Sequence, residues 1–394
     1  MMDSPSNTFS DFDIQMMTRA MSLARQGEFS TKPNPAVGCV ITKDDRIIAE
    51  GWHQRAGEPH AERVALAAAQ ESVEGATVYV TLEPCSHHGR TPPCADALVE
   101  AKVGRVVVAM EDPNPLVAGQ GLARLGAAGI DVQSGLLEAE AEALNAGFVH
   151  AMRCKLPYVR LKMANSLDGH TAMANGESQW ITGAAARHEV HRMRAKSGAL
   201  VTGIGTILAD DPSMTVRLPE AELQTMNLSE AESHPVRVVL DAHLSMPADA
   251  KMLSQPGRTI LMTSRETAED HPELVELLAN AGAEIVAVEA DGDKLDILSV
   301  LEYLYQEEQV FDVLVEAGAI VAGAFLQSGY VNELHVFMAP CLMGHEAKPM
   351  FFLPGLVEMS DKMPFQYQSV QTVGDDLHLV LKPVSGAATL ATSF

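Results

Sequence analysis

Thr81-Leu82-Glu83-Pro84-Cys85-Ser86-His87-His88-Gly89-Arg90-Thr91-Pro92-Pro93-Cys94 is the stretch whose reading decides the first half of this chain. Its start lies in the apolar run Thr77–Leu82, which reads as a buried strand, and a helical pattern opens at Ala95. A strand therefore delivers one thiol and a helix start delivers another, across the eight residues from Ser86 to Pro93. The positive end of the helix favours the thiolate form of the second. Upstream, His60-Ala61-Glu62 sits where a loop enters a helix and adds an imidazole to the two sulfurs. One nitrogen and two sulfurs are soft ligands suited to zinc. Three protein ligands leave the fourth tetrahedral position to water, the arrangement of a catalytic rather than a closed structural site. Glu62, two residues after His60, is a carboxylate outside the ligand set, placed to take the proton of that water and pass it to a leaving amine.

His-x-Glu followed by Pro-Cys-x-x-Cys is the signature of zinc nucleobase deaminases. Here the first half is intact, and the second is widened from two intervening residues to eight. A longer loop still closes on one metal and brings its own contacts. His87, His88 and Arg90 are protonatable or cationic groups beside the metal, suited to an anionic phosphate that a bare nucleobase does not carry. Either of the two histidines as a fourth ligand would close the site, and the three-ligand arrangement is the stronger reading. Cys39, Cys154 and Cys341 are expected to be small buried hydrophobes.

Outward from this motif the chain alternates strands and helices. The spacing predicts a helix over 13–26, a hairpin from Gly38–Ile41 and Ile47–Trp52, a helix over 61–70, a strand Arg105–Met110 and a helical stretch Glu138–Ala151. Alternation of this kind favours an α/β domain with helices on both faces of a sheet. Residues 1–12 read as a disordered start, 13–154 as the first domain and 155–394 as the second. The second half repeats the alternation, with strands at Tyr158–Met163, Leu200–Thr202, Val236–Leu240, Thr259–Met262, Glu284–Val288 and Val313–Val315. Helices are expected at Ala184–Lys196, Pro272–Ala281 and Leu295–Gln306, and the acidic segment Pro219–His234 reads as a surface excursion without function.

At 394 residues the chain has room for two or three domains of roughly 150 residues. Acidic residues outnumber basic ones by 52 to 28, a net charge of -24, and no dense basic tract offers a footprint for nucleic acid. The odd count of five scattered cysteines argues against a secreted disulfide framework, and no secretory leader or membrane-length apolar run is visible. A cytoplasmic enzyme acting on small molecules is expected.

Three stretches carry a resemblance: Lys32-Pro33-Asn34-Pro35-Ala36-Val37-Gly38-Cys39-Val40, Glu58-Pro59-His60-Ala61-Glu62, and above all the motif Thr81–Cys94. They resemble the bifunctional deaminase/reductase of bacterial riboflavin biosynthesis. Similarity continues through Ser166-Leu167-Asp168-Gly169, Gly176-Glu177-Ser178-Gln179-Trp180-Ile181-Thr182 and Leu208-Ala209-Asp210-Asp211-Pro212, over about residues 13–383. The resemblance implies a cytidine-deaminase-like α/β/α domain followed by a dihydrofolate-reductase-like α/β domain. The first would deaminate 2,5-diamino-6-ribosylamino-4(3H)-pyrimidinone 5′-phosphate; the second would use NADPH to reduce the ribose of the product to a ribityl chain. His60, Cys85 and Cys94 match the zinc ligands, Glu62 the proton shuttle, and Asn34 a residue that holds the substrate near the metal. An amide offers donor and acceptor together, as orienting a heterocycle requires.

In the second half, Val313–Ala324 is an apolar strand, a small-residue turn and a helix start, where backbone N–H groups can face a phosphate closely. It lacks the full dinucleotide fingerprint. Under the resemblance, Gly318, Ala319, Ile320, Val321, Ala322, Gly323 and Ala324 approach the NADPH pyrophosphate, and Ala164, Trp180, Thr206 and Asp210 lie on the cofactor side. Ser178, Arg194, Met214, Arg217 and Glu316 line the phosphorylated substrate, with Arg194 and Arg217 as candidate phosphate clamps. Lys162 and Asp168, at the end of the first strand and in the following turn, are placed to bond the ribityl chain or relay a proton. Where many relatives carry Gly-Gly after the glutamate, this chain has Ala317-Gly318. The resemblance also implies a homodimer formed through the reductase half. Two rivals stand beside this reading: a tRNA-type nucleobase deaminase, and a deaminase whose second half binds nucleotide without catalysis.

Overall fold

The structure is a computed structural model that describes residues 9–86, 93–115 and 117–384. The chain divides into two compact units, residues 1–155 together with 221–228, and residues 156–220 together with 229–394. In the first unit α1 (Asp11–Ala24) leads to the hairpin β1 (Gly38–Lys43) and β2 (Arg46–Trp52), then α2 (Ala61–Ala68) and β3 (Thr77–Val80). There follow α3 (Cys94–Glu100), β4 (Arg105–Val108), α4 (Gln120–Ala127), β5 (Asp131–Ser134), α5 (Glu138–Leu144) and α6 (Ala146–Cys154). The five strands run in the order β2-β1-β3-β4-β5. β1 is antiparallel to β2 and β3, whereas β3, β4 and β5 are parallel. Val78, Tyr79 and Val80, like Val106, Val107 and Val108, are buried without alternation, as parallel strands covered on both faces must be. In such sheets functional groups collect beyond the carboxyl ends of the strands. Cys85 lies there, five residues past the end of β3.

α1 is fixed to this sheet by a buried carboxylate. Asp13 closes a capping box with Ser10. Its Oδ1 also accepts from the Tyr79 hydroxyl of β3 at 2.8 Å and from Arg105 of β4 at 2.7 Å. Burial alone would raise its pKa, but the hydrogen bonds from Arg105, Ser10 and Tyr79 hold it well below the usual carboxylate range.

The second unit is built on a nine-stranded sheet. Its strands are β6 (Tyr158–Ser166), β8 (Ala199–Gly203), β9 (Val236–Leu240), β10 (Thr259–Ser264), β11 (Glu284–Val288), β14 (Asp312–Val315), β15 (Val331–Ala339), β17 (Phe365–Val373) and β18 (Asp376–Pro383). Short pairs β7 (His170–Ala172) with β16 (Lys348–Pro349), and β12 (Ala290–Asp291) with β13 (Lys294–Leu295), lie outside it. Its helices are α7 (Ala184–Lys196), α8 (Ile204–Asp210), α9 (Glu220–Thr225), α10 (Glu230–Ser233), α11 (Arg265–Asp270), α12 (Pro272–Asn280), α13 (Ile297–Gln306) and α14 (Ala319–Ser328). The order is β11-β10-β9-β8-β14-β6-β15-β18-β17, parallel from β11 to β15 and antiparallel through β18 and β17. β14 separates β8 from β6, so the carboxyl ends of these three central strands face one crevice.

Three sequence expectations need correction. The segment Pro219–His234 is not a featureless excursion: it carries two short helices, Leu223, Met226 and Leu228 are buried, and residues 221–228 belong to the first compact unit. Asn227 there accepts through its carbonyl from Arg55 at 2.9 Å. Cys154 and Cys341 are exposed, because α6 ends at the first and the second lies in the loop after β15; only Cys39 is a buried hydrophobe. Finally, α1 begins at Asp11 rather than 13, since Ser10 is its cap. No helix among the described residues is long and apolar enough to cross a membrane.

Replacing Asp13 by Asn removes the carboxylate that Arg105 binds most closely and leaves it Asp131 and Gln133, and urea unfolding of the first unit should show a loss of about 2 kcal/mol at neutral pH. The folded-state pKa is depressed. The carboxylate's contribution is therefore complete above the ordinary carboxylate pKa and disappears as pH falls through the lowered one, so the two proteins should converge in strong acid.

Candidate active sites

In the first unit three elements converge. His60 is the N-cap of α2 and its side chain makes no capping bond, so the imidazole is available to turn toward the sulfurs. Its Nδ1 lies 3.6 Å from Cys85 Sγ and 3.4 Å from Cys94 Sγ. The Cys94 backbone N–H, at the first residue of α3, donates to Cys85 Sγ at 3.3 Å. The three ligand atoms all lie within 4.8 Å of one another. Glu62, in the first turn of α2, is 3% exposed, and burial pushes its carboxyl up to about 7.

The donor set asks for a cation. The Cys85 thiol is pulled down to about 4 by a hydrogen bond from Cys94 and by His60, while the Cys94 thiol is pushed far up by its bond to Cys85 and by burial. One sulfur ionises only at the expense of the other, and a bound divalent metal removes that conflict by favouring both thiolates. Imidazole with two thiolates, at these separations, fits zinc.

Asn34 is tied to a residue that the sequence reading missed. His53, at 2% exposure, places Nδ1 3.1 Å from the Pro59 carbonyl and Nε2 3.1 Å from Asn34 Nδ2. A carbonyl only accepts, so Nδ1 carries the hydrogen and Nε2 accepts from the Asn34 amide. Burial lowers the His53 pKa and keeps this neutral form. The Asn34 carbonyl oxygen is thereby turned away from His53. Only an imidazole seven residues before the metal histidine hinted at this role, and that is a weak signal. His87, His88 and Arg90 lie outside the described residues.

In the second unit a buried charge cluster forms on the central strands. Glu316, immediately after β14, accepts from Arg194 Nε at 2.6 Å and from Arg194 Nη2 at 2.9 Å, and Lys162 Nζ of β6 lies 3.8 Å away. Burial opposes the Glu316 charge, yet Arg194 and Lys162 bring its pKa down to about 2. Burial also lowers Lys162. Arg194 Nη1 donates to the Thr215 carbonyl at 2.9 Å. Arg194 was expected as a phosphate clamp; the donors named here hold Glu316 and the 215 backbone. Arg217 is exposed, and its backbone N–H donates to Nδ1 of His191, a half-buried histidine that the sequence reading also missed. His191 is lowered to about 4 by burial and by Arg194 and Arg217.

The remaining expected positions fall into place by element. Ala164 lies on β6, Thr206 and the exposed Asp210 on α8, and Met214 is buried with φ +49°. Ser178 is half-buried, and Trp180 is exposed with the Arg187 guanidinium 4.5 Å over its ring. Asp168 accepts from Ser166 Oγ at 2.5 Å and from the Met343 and Gly344 N–H groups, so its carboxylate ties two loops together. At α14, Gly318 is the N-cap, without a side-chain capping bond, and a Cβ there would meet nothing within 4 Å. That is a cradle open to a phosphate. Ala322 and Gly323 do not share it: both are buried, and a Cβ on Gly323 would strike the Phe352 carbonyl oxygen at 1.9 Å.

Two family models match the chain: the cytidine and deoxycytidylate deaminase zinc-binding region over residues 10–110, and the RibD C-terminal domain over 157–379. The riboflavin biosynthesis protein RibD of Escherichia coli K12 is 48% identical over 372 residues, covering 93% of this chain and 99% of that protein. This chain belongs to the RibD family. RibD of Haemophilus influenzae is 43% identical over 95% of the chain and 98% of its own length. Among solved structures, Acinetobacter baumannii RibD aligns with a TM-score of 0.84 at 45% identity, over 95% of this chain and 99% of that one. The diaminohydroxyphosphoribosylaminopyrimidine deaminase/5-amino-6-(5-phosphoribosylamino)uracil reductase of Thermotoga maritima aligns with a TM-score of 0.81 at 35% identity, over 95% and 99%. A RibD chain is bifunctional in riboflavin biosynthesis, with a zinc-binding deaminase domain and a reductase domain, and both are present here.

Substitution should separate ligands from the acid–base group. Cys85→Ala and Cys94→Ala are each expected to lose bound zinc by metal analysis together with ammonia release. Glu62→Gln should keep zinc and lose ammonia release by roughly 10²-fold or more. Zinc loss in the Glu62 variant, or retention in either cysteine variant, would reverse the assignment.

Proposed function

We propose that the first unit hydrolyses the amino group of 2,5-diamino-6-ribosylamino-4(3H)-pyrimidinone 5′-phosphate and that the second reduces the deaminated product with NADPH to its ribitylamino form. The observation that carries this reading is the meeting of His60, Cys85 and Cys94 ligand atoms within 4.8 Å beside the buried Glu62. The names of the relatives support the substrate class, most directly that of the Thermotoga maritima deaminase/reductase.

In the deaminase site, His60, Cys85 and Cys94 would hold a zinc ion, which would supply Lewis-acid activation of water. Glu62, buried and raised to about 7, takes a proton near neutral pH and returns it to the departing amine. Asn34, oriented by His53, meets the heterocycle. The widened Cys85–Cys94 spacing and the net charge of -24 disfavour the tRNA-type alternative, whose nucleic-acid substrate this surface would repel.

In the reductase site, bound NADPH would supply the hydride for C1′ of the opened ribose, and the chain's part is orientation. The open N-terminus of α14, from Gly318 to Val321, faces the pyrophosphate, with Ala164, Trp180, Thr206 and Asp210 on the same side. Glu316 is held ionised by Arg194 and Lys162, and Lys162 stands within reach of the ribityl chain as the candidate proton donor. Three cations, Lys162, Arg194 and Arg217, surround one carboxylate, leaving an excess of positive charge that suits a phosphate bearing roughly -1.5 to -2. Arg217 is the exposed guanidinium of the set, and Ser178 and Met214 line the same end.

The protein acts in the cytoplasm as a homodimer formed through the reductase half. β17 is the outer strand of the nine-stranded sheet and exposes Tyr367 (63%) and Val370 (56%), an edge that a second copy would cover. Sedimentation of the Val370→Lys protein should shift toward monomer; an unchanged dimer would place the interface elsewhere.

The decisive assay incubates the purified chain with the diaminopyrimidinone phosphate, with and without NADPH, and identifies products by mass. Without NADPH the deaminated ribosylamino compound is expected, and with it the ribityl product. Lys162→Met should stop the second product and leave the first. Failure of reduced nicotinamide to be consumed when deaminated substrate is supplied would favour the alternative in which the second half binds nucleotide without catalysis.

A further inference from the structure

Between Leu82 and Pro84 of the metal motif stands a carboxylate that no step above uses. Glu83 is 5% exposed and is ringed by backbone donors. Its Oε2 accepts from the N–H of Asp112 at 3.0 Å and of Gly119 at 2.9 Å; its Oε1 accepts from Gly121 at 2.7 Å and, more weakly, from Leu122 at 3.4 Å. Two of these donors belong to the first turn of α4, whose N-cap is Gly119 with φ +76° and no side chain of its own to cap it. Glu83 is thus an N-cap supplied from a distant part of the sequence. The fit is tight: a Cβ on Gly121 would lie 2.1 Å from the Pro84 carbonyl oxygen.

α4, once seated, reaches both sulfur-bearing segments. Arg124, one turn along it, donates through Nη1 to the Ser86 carbonyl at 3.3 Å and pairs through Nε with Asp96 at 2.5 Å. Ser86 follows Cys85, and Asp96 lies two residues past Cys94 in α3. Thr81, two residues before Glu83, binds the other side of the motif by accepting from the Gly38 N–H at 3.1 Å. Alternate residues of Thr81–Cys85 therefore hold β1, hold α4 and offer a ligand.

We propose that Glu83 is a positioning residue for the zinc ligands: by capping α4 against Pro84 it sets Arg124 across Ser86 and Asp96, and so fixes the separation of Cys85 and Cys94. This rests on the zinc reading of the site. Glutamine at this position keeps the size but replaces one acceptor oxygen by an N–H₂ group facing N–H donors, so at least one oxygen's pair of bonds is lost.

The test uses the full zinc-loaded chain and a chromogenic chelator. Groups that orient metal ligands change metal affinity by roughly 10–100-fold. Glu83→Gln should release zinc to the chelator about 10-fold faster than the parent, and its cobalt-substituted form should show a shifted thiolate-to-metal absorption. NADPH oxidation by the second unit should be unchanged, which controls for general damage. Arg124→Ala removes the relay at a half-exposed site without touching Glu83, and it should move zinc release in the same direction. If Glu83→Gln leaves the first unit unfolded in a urea titration, the Arg124→Ala result decides. Parental release rates and cobalt spectra in the folded variants overturn the proposal. A parent chain that binds no zinc overturns the metal reading itself, a different result from a zinc-binding parent matched by its variants.

Discussion

Two sulfurs and an imidazole are pressed together in a place where, without a cation, only one sulfur can hold its charge. Everything in the first unit serves that meeting. The buried parallel strands β3 and β4 fix the level at which the motif leaves the sheet, α2 and α3 present His60 and Cys94 at their starts, and the Asp13–Tyr79–Arg105 network keeps α1 on the sheet. Burial beside these ligands pushes the Glu62 carboxyl up to about 7.

The second unit solves a related problem with different residues. Glu316 is buried yet ionised because Arg194 grips it with two donors and Lys162 stands behind it. Buried charges persist only when paired. Here Arg194 and Lys162 together outweigh the single negative charge of Glu316.

Much of this was legible in the sequence. His60, Glu62, Cys85 and Cys94 carry chemistry in their residue types and spacing, and the strands with continuous valine and leucine runs announced themselves, as did α7 and β9. The antiparallel strands β17 and β18 did not, because Gln366, Gln368, Gln371 and Thr372 dilute the apolar pattern and pairing across the sheet decides their state. Arg194 was found but its hold on Glu316 was not, since a guanidinium's partner is a matter of tertiary placement. His53, His191 and Glu83 were passed over for the same reason: each acts through backbone or amide groups that only the fold brings near. The burial of Leu223 and Met226 likewise escaped notice, because a short apolar pair in an acidic segment has no period to read.

X-ray absorption at the zinc edge of the purified chain measures the metal's surroundings directly. Two sulfur neighbours at about 2.3 Å, one imidazole nitrogen at about 2.0 Å and one further light atom are predicted. A shell of four protein sulfurs and nitrogens, or one with fewer than two sulfurs, would contradict this prediction.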